Sequence, residues 1–306
     1  MMNSSQVRVA DPVLSGFAQG YTPASRVGGV LFPRVPVSIG GGKIVEFGKE
    51  SFRRYAARRA PGANTKTIDF GYLGKPYELV QDSLNGLVPR EYLRDAKAVP
   101  GIDLGMRMVG VTMNALTLAL EIEQAEIATN PGNYDSDHKS NVTGADKWTA
   151  SGSKPIAQIK AGIEAVRTSI GIRPNVAIFG AQALTAFEEN ASVTDRFKHT
   201  QPVISTDIIA ALFRLEVVAV AEAVYADEHD NFNDVWGNNV ILGYAPQKPS
   251  GQEQPSYGYT YTMNGNPLAE APFWDGDRKS WVYGVTYERQ AVLTGMAAGF
   301  LIQNPA

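Results

Sequence analysis

The sequence predicts an α+β protein, and three stretches carry that prediction. The first, Asp103 to Thr129, has the period of one long helix of 27 residues, about 40 Å at 1.5 Å per residue. The second, from Val235 to Gln303, alternates in the manner of strands, most clearly in PSYGYTYTM and WVYGVTYERQAVLTG. The third lies between them. There RPNVAIFGAQALTAFEEN, TDIIAALF and LEVVA interleave short apolar strands with short helices.

In the long helix one apolar stripe runs Leu104, Met108, Val111, Ala115, Leu118, Ile122 and Ala125, and a second runs Val109, Met113, Leu116 and Leu120. Two adjacent stripes make a buried face broader than a coiled-coil seam. Asp103 can cap the helix, and Asn130-Pro131-Gly132 stops it. Its uncharged part, Met108 to Leu120, is 13 residues, short of the ~20 that a bilayer needs. It reads as a core helix, and no membrane partner is expected.

The 306 residues allow one large domain or two to three small ones, and a 44% hydrophobic fraction supports a sizeable core. A net charge of −3 gives no global basic footprint for tight nucleic-acid binding. There is no cysteine, which excludes disulfides, thiolate metal sites and cysteine nucleophiles. His138, His199 and His229 are the only histidines and lie far apart in sequence, which argues against a multi-histidine metal site. The N-terminus has no basic region followed by an apolar run, so no signal peptide is expected.

From Met1 to Pro36, apolar pieces such as VLSGFAQGY and VGGVLFPRVPV alternate with Gly and Pro without a helical period. This reads as an extended arm lying on a neighbouring domain or subunit. From Ile39 to Val80, strand patterns GGGKIVEFG and TKTIDFGYLGKPYELV enclose FRRYAARRAPGA. Lys43 to Lys66 carries seven basic and two acidic residues, a local charge of +5. Because an isolated hairpin is marginal in water, this loop should rest on another surface. It could contact nucleic acid, clamp a second subunit, or lie in solvent. Tyr55 is the only aromatic residue between the pairs Arg53-Arg54 and Arg58-Arg59, which leaves little for base stacking. Arginine is also favoured in protein interfaces.

Val88 to Val99 reads as a short helix or turn, and Pro131 to Ser153 as a solvated polar loop. In that loop Asp135, Asp137 and His138 lie close but lack the spacing of a calcium loop. Lys154 to Ile170 is an amphipathic helix with Ile156, Ile159, Ile163, Val166 and Ile170 on one face and Pro155 in its first turn. Val176 to Phe179 is a buried strand followed by a helix, Gln182 to Glu189. Their junction, GAQAL, has neither a second glycine at dinucleotide spacing nor Gly-Lys-Ser/Thr, which argues against a phosphate site. Thr206 to Phe213 and Leu215 to Ala219 supply one more helix and strand. Glu222 to Asp234 holds five acids and no Lys or Arg. A metal at Asp227-Glu228-His229-Asp230 and a solvated or interface loop both fit it. Trp281 to Gln303 is one long strand, or two with a break at Thr294-Gly295. GxSxG, HExxH and P-loop motifs are absent, so no catalytic residue, metal or cofactor is assigned.

This order of arm, basic two-stranded loop, long helix, second helix, small α/β segment and return strands resembles the major capsid proteins of tailed bacteriophages, with the Hong Kong 97-type fold. The resemblance rests on LFPRVPVS, RRAPGA, the long helix, RPNVAIFGAQALTAFEENASVTDRFKHT, TDIIAALFRLEVVAVAEAVY, WGNNVILGYAP, PSYGYTYTM and AAGFLIQN in colinear order. It implies an N-terminal arm at 1–40 and an extended loop at 41–80. A peripheral domain follows at 81–174 with its spine helix at 103–129, then an axial α/β domain at 175–267, and return strands of the peripheral domain at 268–306. The implied function is structural, not enzymatic: hexamers and pentamers forming an icosahedral shell around double-stranded DNA. The shell would be assembled in the bacterial host cytoplasm and found in the virion. The arm leaves no room for a fused scaffolding domain, so the resemblance implies a separate scaffolding protein, together with a portal and weak, non-specific DNA contact. The lysine–asparagine cross-link of some relatives is not carried over, since none of Lys43, Lys49 and Lys66 can be aligned with its lysine. Two other readings stay open: an encapsulin-type shell around an enzyme cargo, and a soluble α/β enzyme with an unrecognised site.

In the resembled fold the extended loop reaches over a neighbouring subunit. Arg53, Arg54, Arg58 and Arg59 would then meet acidic groups there, with Asp227, Glu228 and Asp230 as first candidates. The competing arrangement puts the acidic stretch near the capsomer axis and pairs the arginines with other carboxylates such as Asp69, Glu78 or Glu91.

Overall fold

A computed structural model of the protein describes residues 10–43, 58, 61, 76–96, 103–197, 204–247 and 256–306. Asp11 starts helix α1 (Pro12–Gly20) by accepting the N–H groups of Val13 and Leu14. Pro12 occupies the first turn, where its missing N–H costs nothing. The single-turn helix α2 (Gly28–Leu31) and strands β1 (Arg34–Val37) and β2 (Gly41–Lys43) follow. Strand β3 (Pro76–Glu78) returns antiparallel to β2, and β4 (Val80–Pro89) and α3 (Arg90–Ala96) come next. The spine helix α4 (Leu104–Thr129) is capped by Asp103, whose side chain accepts the Met106 N–H at 3.0 Å.

After it come β5 (Lys139–Asn141), α5 (Pro155–Ile170), β6 (Val176–Gly180), α6 (Ala181–Glu189), α7 (Ala191–Phe197), α8 (Thr206–Phe213) and β7 (Val217–Ala221). A hairpin of β8 (Val224–Ala226) and β9 (Phe232–Asp234) leads to β10 (Asn239–Gly243), β11 (Gly258–Met263), β12 (Leu268–Ala269), β13 (Phe273–Asp275), β14 (Ser280–Leu293) and β15 (Gly299–Gln303).

Two sheets organise these elements. The first is built on β14, which pairs antiparallel with β4 from Ser280 beside Pro89 to Arg289 beside Val80. It pairs also, in turn, with β13, β12 and β11, and β1 adds parallel to β11. Helix α4 lies on this sheet. Val109, Met113, Leu116 and Leu120 meet Val285, Tyr287 and Ala291, with Leu14 and Ala18 of α1 closing the cluster. The second sheet has the order β5-β15-β10-β6-β7. Its core gathers Ile159, Ile163 and Val166 of α5 with Ile178, Phe179, Phe187, Ile241 and Leu301.

The structure departs from the sequence reading in several places. The arm is not extended throughout: Asp11-Pro12 starts a helix, and its Leu14 and Ala18, four apart, reach the core. Leu31 and Phe32 are fully buried within the chain's own core. On α4 the second apolar stripe is the buried one. Of the first stripe only Ala125 is buried, while Val111 is 59% exposed. Besides Gly105 and Ala128, the rest of the inward face is polar: Thr112, Thr117, Glu121 and Gln124. The segment 131–153 is not a solvated loop, because His138, Val142 and Trp148 are buried in it. β4 is a strand that the sequence reading missed. The return strands divide: β14 stays on the spine helix, but after the break at Thr294-Gly295 β15 enters the second sheet, where α5 also packs.

Candidate assembly surfaces

The polar groups on the inward face of α4 tie distant segments together. Glu121, 2% exposed, accepts the N–H groups of Val27 and Gly28 at 3.0 Å and the indole N–H of Trp236 at 2.7 Å. Burial pushes its carboxyl above the ordinary range, and the three donors pull against that shift. One turn further on, Gln124 donates to Thr260 Oγ1 at 2.8 Å, and Thr260 donates to the Phe32 carbonyl at 3.0 Å. A side chain at Gly28 would overlap the Gln124 amide, so only glycine brings α2 this close to the spine.

A second junction is Arg289 of β14. Its guanidinium reaches Glu123 of α4 at 2.6 Å, Asp82 of β4 at 2.9 Å and the Leu116 carbonyl at 3.3 Å. It also lies 5.3 Å from the Tyr287 ring centroid. The buried charge is thus doubly paired, as burial demands. His138, which the sequence places beside Asp135 and Asp137, sits between α5 and β15. Nδ1 lies 2.8 Å from the Gly299 carbonyl, to which it can only donate, and Nε2 lies 2.7 Å from the Ser169 hydroxyl. Among the described residues no three His, Asp or Glu side chains gather to hold a metal, and no helix is long and apolar enough to cross a membrane.

Of the basic residues singled out in the sequence, Arg53, Arg54 and Arg59 lie outside the described residues; Arg58 is exposed. Asp69, offered as an alternative partner, also lies outside them, while Glu78 and Glu91 are exposed. The acidic candidates come together in the β8–β9 turn. Asp227 accepts the N–H groups of His229 at 2.8 Å and Asn231 at 2.9 Å, and these bonds hold its carboxyl below the ordinary range. Asp230 has a left-handed backbone, φ 60°. Glu228 and Asp230 are exposed beside Phe232, which is 76% exposed. Asp227 therefore shapes the turn, and the other two carboxylates face outward.

A basic cavity went unseen in the sequence. Lys160, Arg173 and Arg214 surround about 330 Å³ of space floored by Ile163, Leu212 and Phe213. The three cations are scattered singly along the chain and meet because β6 and β7 pair in parallel and α5 packs on their sheet. A wider groove of about 590 Å³ runs between α1 and α4, from Phe17 and Tyr21 to Met106, Gly110 and Val111.

Comparison with known proteins covers nearly the whole chain. The sequence profile described as Phage major capsid protein E matches residues 132–289. The major capsid protein of Burkholderia phage BcepMu is 36% identical over 305 residues, 98% of each chain. A crystal structure of a phage-related protein from Bordetella bronchiseptica RB50 shares 44% identity and a TM-score of 0.86, over 98% of this chain and 99% of that one. An encapsulin complex from Synechococcus elongatus PCC 7942 matches at 12% identity and TM-score 0.52, over 96% of this chain and 95% of that one, a likeness of fold alone.

Proposed function

Because the chain belongs to the phage major capsid protein E family, we propose that its copies close as hexamers and pentamers into an icosahedral shell around double-stranded DNA. The chain is a phage major capsid protein of the Hong Kong 97-type fold, its role is structural, and its place is the virion capsid. The observation that carries the reading is 36% identity along 98% of a phage major capsid protein. The encapsulin likeness, at 12% identity, gives no comparable support for an enzyme cargo. Assembly takes place in the host cytoplasm with a separate scaffolding protein and a portal, and contact with the packaged DNA is weak and non-specific.

Both charged segments are contacts between copies in this proposal. Arg53, Arg54, Arg58 and Arg59 meet carboxylates of a neighbouring copy, and the turn of Asp227, Glu228 and Asp230 lies in an interface. Exposed pairs contribute ~0–1 kcal/mol each, so their effect comes from repetition over many copies. Electron microscopy of the purified protein, with its scaffolding protein supplied, should show closed shells; uniform small particles would overturn the reading. Arg58→Glu with Arg59→Glu should block closure while leaving the thermal transition of the unassembled protein nearly unchanged. Normal shells from that variant would remove the basic segment from the interface.

A further inference from the structure

Strands β6 and β7 run parallel, Val176 beside Val217 and Gly180 beside Ala221, so the chain enters both at one end and leaves both at the other. At the entry end Arg173 and Arg214 each stand three residues ahead of a strand, with Lys160 of α5 across the cavity. Its one lining carboxylate, Glu164, is hydrogen-bonded by Arg167 and feels the charge of Arg173 only at longer range. Glu216, the next acid along from Arg214, is held by the Asn175 amide at 3.1 Å. None of the three cations has an ion pair among the described residues.

The exit end carries the opposite features. Gln182, just past β6, donates to Asp234 at 3.2 Å and fixes the base of the β8–β9 hairpin there. The hairpin presents Phe232 at 76% exposure, flanked by the outward carboxylates of Glu228 and Asp230. A five-residue strand, about 17 Å long, separates the two ends. Each end supplies what the other lacks. The cavity has an apolar floor and three cations without an ion pair among the described residues, where a concave shape concentrates the field. The hairpin has an exposed aromatic ring, Phe232, and two exposed carboxylates in its turn, Glu228 and Asp230. Two different complementary patches on one chain make a heterologous contact, and such a contact closes into a ring when its rotation allows.

We propose that the β8–β9 hairpin of one copy docks in the Lys160–Arg173–Arg214 cavity of the next. Phe232 lies over Ile163 and Leu212, and Glu228 and Asp230 face the two arginines. This contact rests on the shell reading above and assigns one of its ring interfaces. It leaves Glu78 and Glu91 as carboxylates for the basic segment of a neighbour.

The chain has no cysteine, so Phe232→Cys with Leu212→Cys introduces the only thiols. Oxidised shells of that variant should give a ladder of covalent multimers on a denaturing gel, collapsing to monomer on reduction. Normal shells that give only monomer after oxidation overturn the contact. Independently, Arg173→Glu with Arg214→Glu should abolish rings and shells without moving the thermal transition. Adding Glu228→Lys and Asp230→Asn should restore them, asparagine being tolerated in the left-handed turn. Normal assembly of the arginine variant, or no rescue in a chain that unfolds at the parent's temperature, overturns the contact. If the unmodified chain forms no shells under assembly conditions, the shell reading falls first and the contact with it.

Discussion

Glu121 shows what one side chain can hold together. Every partner it has is a donor, from the arm or from the loop before β10. Glutamine would offer one acceptor oxygen and an NH₂ group facing other donors, so Glu121→Gln should cost about 1–3 kcal/mol at neutral pH. The sign of its pH dependence follows from the upward shift. As pH falls, the folded state takes up this proton before the unfolded state does, so the group contributes stability on the acid side and loses it as pH rises through the folded value. The deficit of Glu121→Gln should therefore widen between pH 7 and about 4.5 in denaturant titrations of unassembled protein. A gap that narrows would contradict this. Nothing in the sequence marks this residue. A glutamate in a helix reads as solvent-facing, and its partners lie 94 and 115 positions away. His138 and Trp148 were hidden likewise by the polar residues around them, although His138 turns inward between α5 and β15.

At the scale of elements, periodicity was a good guide where burial is one-sided. Helices α4 and α5 begin and end within a residue of the predicted spans. The choice of face on α4 failed because its inward side is completed by Thr, Glu and Gln, which no hydrophobic pattern records. Strand β4 was illegible for the opposite reason: VQDSLNG is largely exposed, and its place is set by the ladder to β14. The alternation in PSYGYTYTM was legible, and it has a consequence at high pH. Burial pushes the hydroxyls of Tyr134, Tyr257 and Tyr261 up, and that of Tyr259 to about 12. The folded state keeps these protons while the unfolded chain releases them near pH 10. Stability is thus intact below pH 10 and lost above it, by up to ~1.4 kcal/mol per pH unit for each such tyrosine. Alkaline titration should show tyrosinate absorbance rising together with unfolding, with Tyr257→Phe flattening the loss. Ionisation of all thirteen tyrosines at their ordinary pKa in a still-folded chain would be the opposite result.

For the whole molecule, the colinear order of segments made the capsid fold legible, although no single segment is distinctive. Charge sums along the chain located the acidic turn, but a partner on another copy, as proposed for it, would leave no local signal. The cavity of Lys160, Arg173 and Arg214 depends on strand pairing and could not be summed from neighbours. A net charge of −3 also bears on the proposed contact with packaged DNA. A wall of this charge should bind duplex DNA weakly, without sequence preference, and more weakly still as salt rises. Fluorescence anisotropy with a labelled duplex tests this on unassembled protein. Sub-micromolar affinity at physiological salt would show that the wall grips its contents.

The last strand in chain order, β15, lies inside the second sheet, between β5 and β10. It is made after the other described strands, so until then β10 presents an open edge where β15 belongs. A polypeptide broken off upstream lacks a middle strand, not a tail, and its α/β unit cannot close. A chain ending before Gly299 should therefore be protease-sensitive and fail to assemble, which limited proteolysis of that truncation would show.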